Sequence, residues 1–397
     1  MERAGFMAST GRAAVLEEFN EPLTLLEYPM PDPEAGALVA EIDVATVCGS
    51  DLHIWANHLG PTYSLPLPLV LGHEMVGRIV AIGPGAEVDS LGQPLAVGDR
   101  VVWANESCGR CLVCTVEKEP RLCLARHFVG LTSATAAPHF VGAFADYGYV
   151  FPGQGRVRVP DDVDSGWASA GSCALRTVVN TVEAAGRIDY MDSVVIQGSG
   201  PLGLFAAALV STLSSRHTIV IGAPDDRLLL AKEWGATHTI SIEQHPEPAD
   251  RLAAVHNITG RGGPSVVLEV SGAPGAVAEG IAMLRPNGRY VMSGTIGGGA
   301  QPIDISRVTT RGLTITGSMS GDIDAYFKAM EFLSTHRERF DWNRMLGRRY
   351  GLHEVTDALG AMQRMEEIKP IIDPSITSWL PVRPDEHEPR LGPGAPL

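Results

Sequence analysis

Residues Ser193–Val210 read SVVIQGSGPLGLFAAALV. A β-branched run over Ser193–Gln197 predicts a strand, and the alanine- and leucine-rich text from about Leu202 to Leu213 predicts a helix. Between them stands Gly198-x-Gly200-x-x-Gly203. The first glycine permits a tight turn, the second lets a diphosphate approach the backbone, and the third lets helix pack on strand. The free N–H groups at the head of the helix then face the phosphates. Gly198, Gly200, Pro201, Leu202 and Gly203 are therefore candidate dinucleotide-binding residues.

The pattern repeats outward. Strand Thr218–Ile221 precedes a helix from about Arg227 to Trp234, and strand Ser265–Val270 precedes one from about Ala276 to Leu284. Strands Arg289–Met292 and Leu313–Thr316 follow. Such alternation predicts a doubly wound parallel sheet. An acid that binds the ribose diol is expected some 20 residues past the glycines, but the position holds Gly222. Asp225 and Asp226 follow, with Arg227 behind them. The acids disfavour a 2′-phosphate, so the reading leans to NAD over NADP. Asp225 either contacts the diol from a shifted loop or caps a helix in solvent. Thr177, Val270, Ser293 and Thr295 complete the candidate cofactor set.

Upstream, to about Pro160, the text is β-like, with short apolar runs broken by Pro and Gly. Downstream of Gly317, two helical stretches and an apolar run, KPIIDP, precede a Pro/Gly-rich tail expected to be mobile. One β-rich domain is thus expected to be interrupted by an α/β domain. At 397 residues, two domains are the natural prior. The chain is 45% hydrophobic and 19% charged, as globular proteins are, and carries a net charge of −15. That charge opposes general binding to nucleic acid. The N-terminus lacks a signal-peptide core, and no run of 18 apolar residues suggests a membrane span. A cytoplasmic, reducing setting is expected.

Four of the six cysteines crowd into Cys108-x2-Cys111-x2-Cys114-x8-Cys123. Four thiolates this close can wrap one tetrahedral Zn²⁺ and leave no open position, a structural site. A second constellation is dispersed. VCGSDLH carries Cys48, Ser50, Asp51 and His53; LGHEMVG carries His73 and Glu74; GSCALRT carries Cys173. Two thiolates and an imidazole would neutralise Zn²⁺ and leave one position open. Spacing alone does not bring these three together.

The motifs and their order resemble the zinc-containing medium-chain alcohol dehydrogenases. The likeness runs from about residue 12 to 375. It rests on Gly72-His73-Glu74-Met75-Val76-Gly77 with Gly83 beyond, on VCGSD, on GDRVV, on the four-cysteine lobe and on GSGPLG. The resemblance implies a GroES-like catalytic domain over 1–165, with its zinc lobe at 105–125. It implies a Rossmann nicotinamide domain over 166–317, the rest of the catalytic domain over 318–380, and a flexible tail over 381–397. Cys48, His73 and Cys173 match catalytic zinc ligands, and Glu74 the neighbouring carboxylate. Ser50 and His53 match a proton relay, and Asp51 the carboxylate that orients the ligand histidine. Cys108, Cys111, Cys114 and Cys123 match the structural zinc, giving two zinc ions per chain.

There are departures from the family pattern. The last gap in the lobe is one residue longer than the commonest spacing, Gly49 replaces a basic residue, and Gly222 replaces the ribose acid. Within the family, CGSDLHIW and IGAPDDRL look closest to bacterial members near the hydroxycamphor-dehydrogenase and phosphonate-cluster groups. The activity implied is reversible oxidation of an alcohol, secondary or cyclic, to a ketone or aldehyde, with hydride transfer to NAD(P). A zinc-free quinone or enoyl reductase and a non-enzymatic nicotinamide-binding protein are the alternatives. Small-molecule substrates are expected, with no nucleic acid or membrane partner. The resemblance also implies a homodimer or homotetramer, joined through the edge region Arg289–Ser318. Trp55, His58, Tyr63, Trp103 and Phe140 are candidate pocket walls, each weighed against plain core packing.

Overall fold

The computed structural model describes residues 10–59, 64–260, 262–294, 300–377 and the backbone of 383–384. The chain divides into two compact units. One gathers 1–114, 123–159 and 347–397, and the other 115–122 and 160–346.

The second unit is built on a parallel sheet. Its strands lie in the order His238–Ser241, His217–Gly222, Ser193–Gln197, Val266–Glu269, Arg289–Met292, Thr314–Gly317. Every neighbouring pair is parallel. Numbered along the chain this is 3-2-1-4-5-6, the doubly wound Rossmann order. Val194, Val195 and Ile196 are fully buried, as a strand covered on both faces must be. The direction of winding reverses between Ser193–Gln197 and Val266–Glu269, and ligands of such sheets bind at the carboxyl ends of strands there.

This unit extends further than residue 317, where the sequence reading placed the return to the catalytic domain. Helix Ile323–Thr335 and the turn Trp342–Met345 belong to it. Aromatic packing accounts for the difference. The buried Trp342 ring lies 5.7 Å from Phe205, 5.1 Å from Trp234 and 5.9 Å from Phe332. An amphipathic pattern predicts a helix but does not say which domain its apolar face covers.

The first unit is mainly antiparallel. One sheet runs Leu346–Tyr350, Lys369–Ile372, Leu38–Thr46, Met75–Ile82, Arg100–Trp103, Arg156–Arg158, and Tyr147–Val150 also pairs with Leu38–Thr46. A second runs Arg383–Pro384, Thr24–Pro29, Thr10–Leu16, Leu69–Val70. Ile371 pairs with Thr46 and Ile372 with Ala45, so the C-terminal segment completes the N-terminal sheet. Apart from Arg383 and Pro384, the tail over 381–397 lies outside the described residues. Among the described residues no helix is long and apolar enough to cross a membrane.

Candidate metal centres and nucleotide site

Cys48 follows the central strand Leu38–Thr46 and caps the short helix Gly49–Trp55. Asp51, in the first turn of that helix, is fully buried. Its Oδ2 accepts the Cys48 backbone N–H at 2.9 Å, and its Oδ1 lies 3.1 Å from His73 Nδ1. One carboxylate therefore holds both residues. With the proton on Nδ1, His73 Nε2 carries the lone pair that a metal would take. The ligand atoms of Cys48, His73 and Glu74 lie within 4.8 Å of one another. Cys173 belongs to the second unit, where it sits partly exposed in the π-helical turn Gly171–Leu175.

Glu74 is fully buried and heavily engaged. Lys369 Nζ donates to its Oε1 at 2.5 Å and also contacts Oε2, and Thr46 Oγ1 donates to Oε2 at 2.6 Å. The lysine donates as well to the Val47 carbonyl at 3.2 Å. Burial pushes the Glu74 carboxyl up to about 8, against the pull of the Lys369 ammonium. Lys369 is the site residue that sequence reasoning missed. Its one signal was a lysine at the head of the apolar run KPIIDP.

Ser50 Oγ lies 3.3 Å from His73 Nε2, and His53 Nδ1 lies 3.2 Å from His58 Nδ1. Ser50 thus flanks His73 Nε2, while His53 is exposed and paired with a second imidazole. Partial burial lowers the pKa of His53, with the neighbouring His58 acting in the same direction. Among the described residues no hydrogen bond joins Ser50 to His53. Two of the candidate pocket walls are core. Trp103 is 2% exposed and packs against Gly77 and Gly148, and Phe140 is 1% exposed and packs edge-on against Tyr28 and Tyr147. Trp55 donates from Nε1 to the Glu21 carbonyl at 2.8 Å, and Tyr63 lies outside the described residues.

The four-cysteine lobe closes on itself. The Sγ atoms of Cys111 and Cys114 are 3.4 Å apart, those of Cys108 and Cys123 3.5 Å, and those of Cys111 and Cys123 4.0 Å. A disulfide needs about 2.05 Å, and none of the six cysteines is in one. Four sulfurs about 2.3 Å from one ion would stand about 3.8 Å apart, so the donor set fits a tetrahedral metal. Between Cys114 and Cys123 the chain passes through a left-handed Lys118 (φ 58°) and the turn Pro120–Leu122. Backbone N–H donation at Arg110 and the Cys123 thiol pull Cys108 down to about 6, while desolvation and Cys111 push Cys114 up to about 12. Full ionisation of the set calls for a cation.

The three glycines of the Gly198-x-Gly200-x-x-Gly203 motif differ in their surroundings. Gly198 takes φ 120° at the turn. A Cβ on Gly203 would stand 1.9 Å from the Gly198 carbonyl oxygen, so only glycine fits. Among the described residues, a Cβ on Gly200 would meet nothing within 4 Å, so the space over that backbone is open. Pro201 opens helix Pro201–Thr212, with Leu202 behind it in the first turn. Gly222 ends its strand, and a Cβ there would meet Ser199 Oγ at 2.4 Å. Ser199 donates to the Ala223 carbonyl at 2.7 Å and occupies the room a ribose acid would need.

Asp225 opens the next helix. Its Oδ2 accepts from Gln244 at 2.8 Å, and its buried Oδ1 has no hydrogen-bond partner among the described residues. Burial lowers the pKa of Arg227 two residues on, opposed by Asp226. Val270 and Ser293 follow the carboxyl ends of two further strands, and among the described residues the buried Ser293 hydroxyl has no hydrogen-bond partner. Thr177 is buried on helix Arg176–Ala184. Thr295 lies outside the described residues.

Comparison with known proteins agrees with this architecture. The family model for the alcohol dehydrogenase GroES-like domain matches residues 34–161, and that for zinc-binding dehydrogenases matches residues 201–335. The chain is similar to 5-exo-hydroxycamphor dehydrogenase of Pseudomonas putida, with 33% identity over 92% of this chain and 99% of the relative. An L-threonine 3-dehydrogenase of Shewanella loihica is 32% identical over 75% of this chain and 81% of the relative. The crystal structure of an alcohol dehydrogenase from Thermotoga maritima superposes with a TM-score of 0.85 at 30% identity, covering 92% of this chain and 99% of that one. The chain belongs to the zinc-type medium-chain alcohol dehydrogenase superfamily and is an oxidoreductase of its zinc-binding dehydrogenase branch.

Proposed function

We propose that this protein reversibly oxidises a secondary or cyclic alcohol to a ketone, or a primary one to an aldehyde, using NAD and a catalytic zinc. The carrying observation is the double hold of Asp51 on Cys48 and His73, which presents a thiol and an imidazole Nε2 with fixed aim. Cys173 is the proposed third ligand, and Cys108, Cys111, Cys114 and Cys123 hold a second, structural zinc. When bound, the catalytic zinc supplies Lewis-acid stabilisation of a developing alkoxide, and NAD supplies the hydride acceptor.

The chain's own residues do the rest. Cys48 and Cys173 contribute two negative charges and His73 none, matching a divalent ion. Asp51 keeps the His73 proton on Nδ1. Ser50, beside Nε2, accepts the alcohol proton at Oγ and releases its own toward solvent. His53, in its lowered-pKa, neutral form, takes that proton up and shares it with His58. Glu74 stays with Lys369 and Thr46 and keeps a carboxylate near the ligands without an uncompensated charge. In the nucleotide site Gly200 admits the diphosphate. The unpartnered Asp225 Oδ1, with Asp226 beside it, favours a ribose diol over a 2′-phosphate, despite the glycine at 222.

The hydroxycamphor relative is named for a cyclic alcohol, which supports that substrate class. A homodimer or homotetramer in a cytoplasmic setting completes the reading. The test is a screen of cyclic, secondary and primary alcohols with NAD and with NADP. Reduction of NAD by cyclic secondary alcohols is expected, and failure with every alcohol under both cofactors would refute the activity.

A further inference from the structure

Arg176 stands three residues beyond Cys173 and is 4% exposed, although it carries a guanidinium. A charge in that setting is costly unless its donors are used. Its backbone N–H bonds to the carbonyl of Gly171, five residues back, as a π-helical turn requires. In an α-helix that N–H would serve Ser172, four residues back. Here the Arg176 side chain takes over, and Nε donates to the Ser172 carbonyl at 2.7 Å. The guanidinium replaces the bond that the widened turn gives up.

The other end of the fork leaves the helix. The Arg176 Nη1 group donates to Ser320 Oγ and, at 3.1 Å, to the Gly321 carbonyl, and the guanidinium carbon stands 5.0 Å from the centre of the Tyr326 ring. Ser318–Asp322 is the segment that follows the last sheet strand, Thr314–Gly317, on the carboxyl side of the sheet. The same segment is tied back at Ser318, which donates its N–H to the Met292 carbonyl at 2.8 Å and accepts from Asn180 at 2.8 Å. Met292 directly precedes Ser293, one of the candidate cofactor contacts.

We propose that Arg176 is a positioning residue that couples the turn carrying Cys173 to the Ser318–Asp322 segment at the cofactor end of the sheet. The inference rests on the proposed reading of Cys173 as a metal ligand. Because one rigid fork holds both, displacing the segment displaces the ligand turn, and the reverse. Lysine cannot substitute: a single ammonium does not span the Ser172 and Gly321 carbonyls as a planar guanidinium does.

The test compares full-length wild type, Arg176→Lys and Ser320→Ala, each loaded with zinc and, separately, with cobalt. Five quantities are read: the His73-dependent part of the cobalt absorption spectrum, the NADH dissociation constant by fluorescence, the melting temperature, kcat and KM. Arg176→Lys is expected to shift the cobalt bands, weaken NADH about tenfold and lower kcat about tenfold, as loss of a charged hydrogen bond allows. Ser320→Ala should move the same quantities in the same direction by less. Should Arg176→Lys fail to fold, Ser320→Ala decides alone. Unchanged cobalt bands and NADH affinity in the folded variants, whatever their melting temperature, would overturn the proposal and leave Arg176 a packing residue. A wild-type protein with no His73-dependent cobalt band refutes the catalytic-zinc reading itself, and this inference with it.

Discussion

Lys369 and Glu74 form an ion pair with side chains 1% and 0% exposed, between residues 295 apart in the chain. The pair links the C-terminal strand Lys369–Ile372 to the residue beside His73. A buried pair broken on one side leaves an uncompensated charge, at a cost of about 3–5 kcal/mol. Lys369→Met is therefore expected to lose that much stability in denaturant titration, and the double variant Lys369→Met/Glu74→Gln should recover much of it. The sign with pH follows from the raised Glu74 pKa, which Lys369 holds down. Without the lysine the carboxyl is best tolerated neutral. In the single variant the contribution of Glu74 to stability should be fully present below the ordinary carboxyl range and be lost as pH rises through the raised value. A single variant as stable as the double one would contradict this account.

The glycines separate packing from binding. Gly203→Ala puts a Cβ against a backbone carbonyl, so both stability and cofactor binding should fall. Gly200→Ala meets no protein atom. It should leave the melting temperature within a few degrees and weaken NADH at least about tenfold, since the diphosphate must share that space. Fluorescence titration beside thermal unfolding distinguishes them, and full NADH affinity in Gly200→Ala would move the diphosphate elsewhere.

The lobe should behave as a structural element. Cys111→Ser is expected to lose one zinc per chain by elemental analysis and to melt at least ~5 °C lower. The remaining lobe thiols should react faster with a thiol reagent. Unchanged metal content would dissociate the four cysteines from zinc.

His53 should set part of the acid limb of kcat. Its pKa is lowered, so the neutral form persists to lower pH than in an ordinary histidine. The same shift means that its contribution to stability is present above about 6.5 and is lost as pH falls through the folded value. His53→Gln should remove the corresponding inflection from the kcat profile and leave zinc content intact. An unaltered profile would take His53 out of the proton path.

Local features were the legible ones. The strand, glycine turn and helix around Gly198 lie within one short stretch, as do the four lobe cysteines, and their spacing carries the geometry. The parallel sheet follows from the alternation of apolar strands and helices. Cys48 and His73 are different: their meeting depends on strand order, and family resemblance supplied it. Lys369 was hidden because pairing of Ile371 with Thr46 sets its place, and no local pattern encodes that register. The extent of the second unit was hidden for a related reason, since Trp342 finds Phe205 and Trp234 only in the folded chain. Trp103 and Phe140 are buried in the core and also border a small cavity with Val129 and Val141.

Alcohol oxidation is proposed to depend on a zinc held by Cys48, His73 and Cys173. The most direct measurement is zinc content and NAD reduction by a cyclic secondary alcohol, taken on wild type and on His73→Ala. Wild type is predicted to hold two zinc ions per chain and turn over. His73→Ala should retain the lobe zinc, lose the other and lose at least about a thousandfold in rate, while still binding NADH. Near-wild-type turnover in His73→Ala, or in zinc-free wild type, would contradict the account.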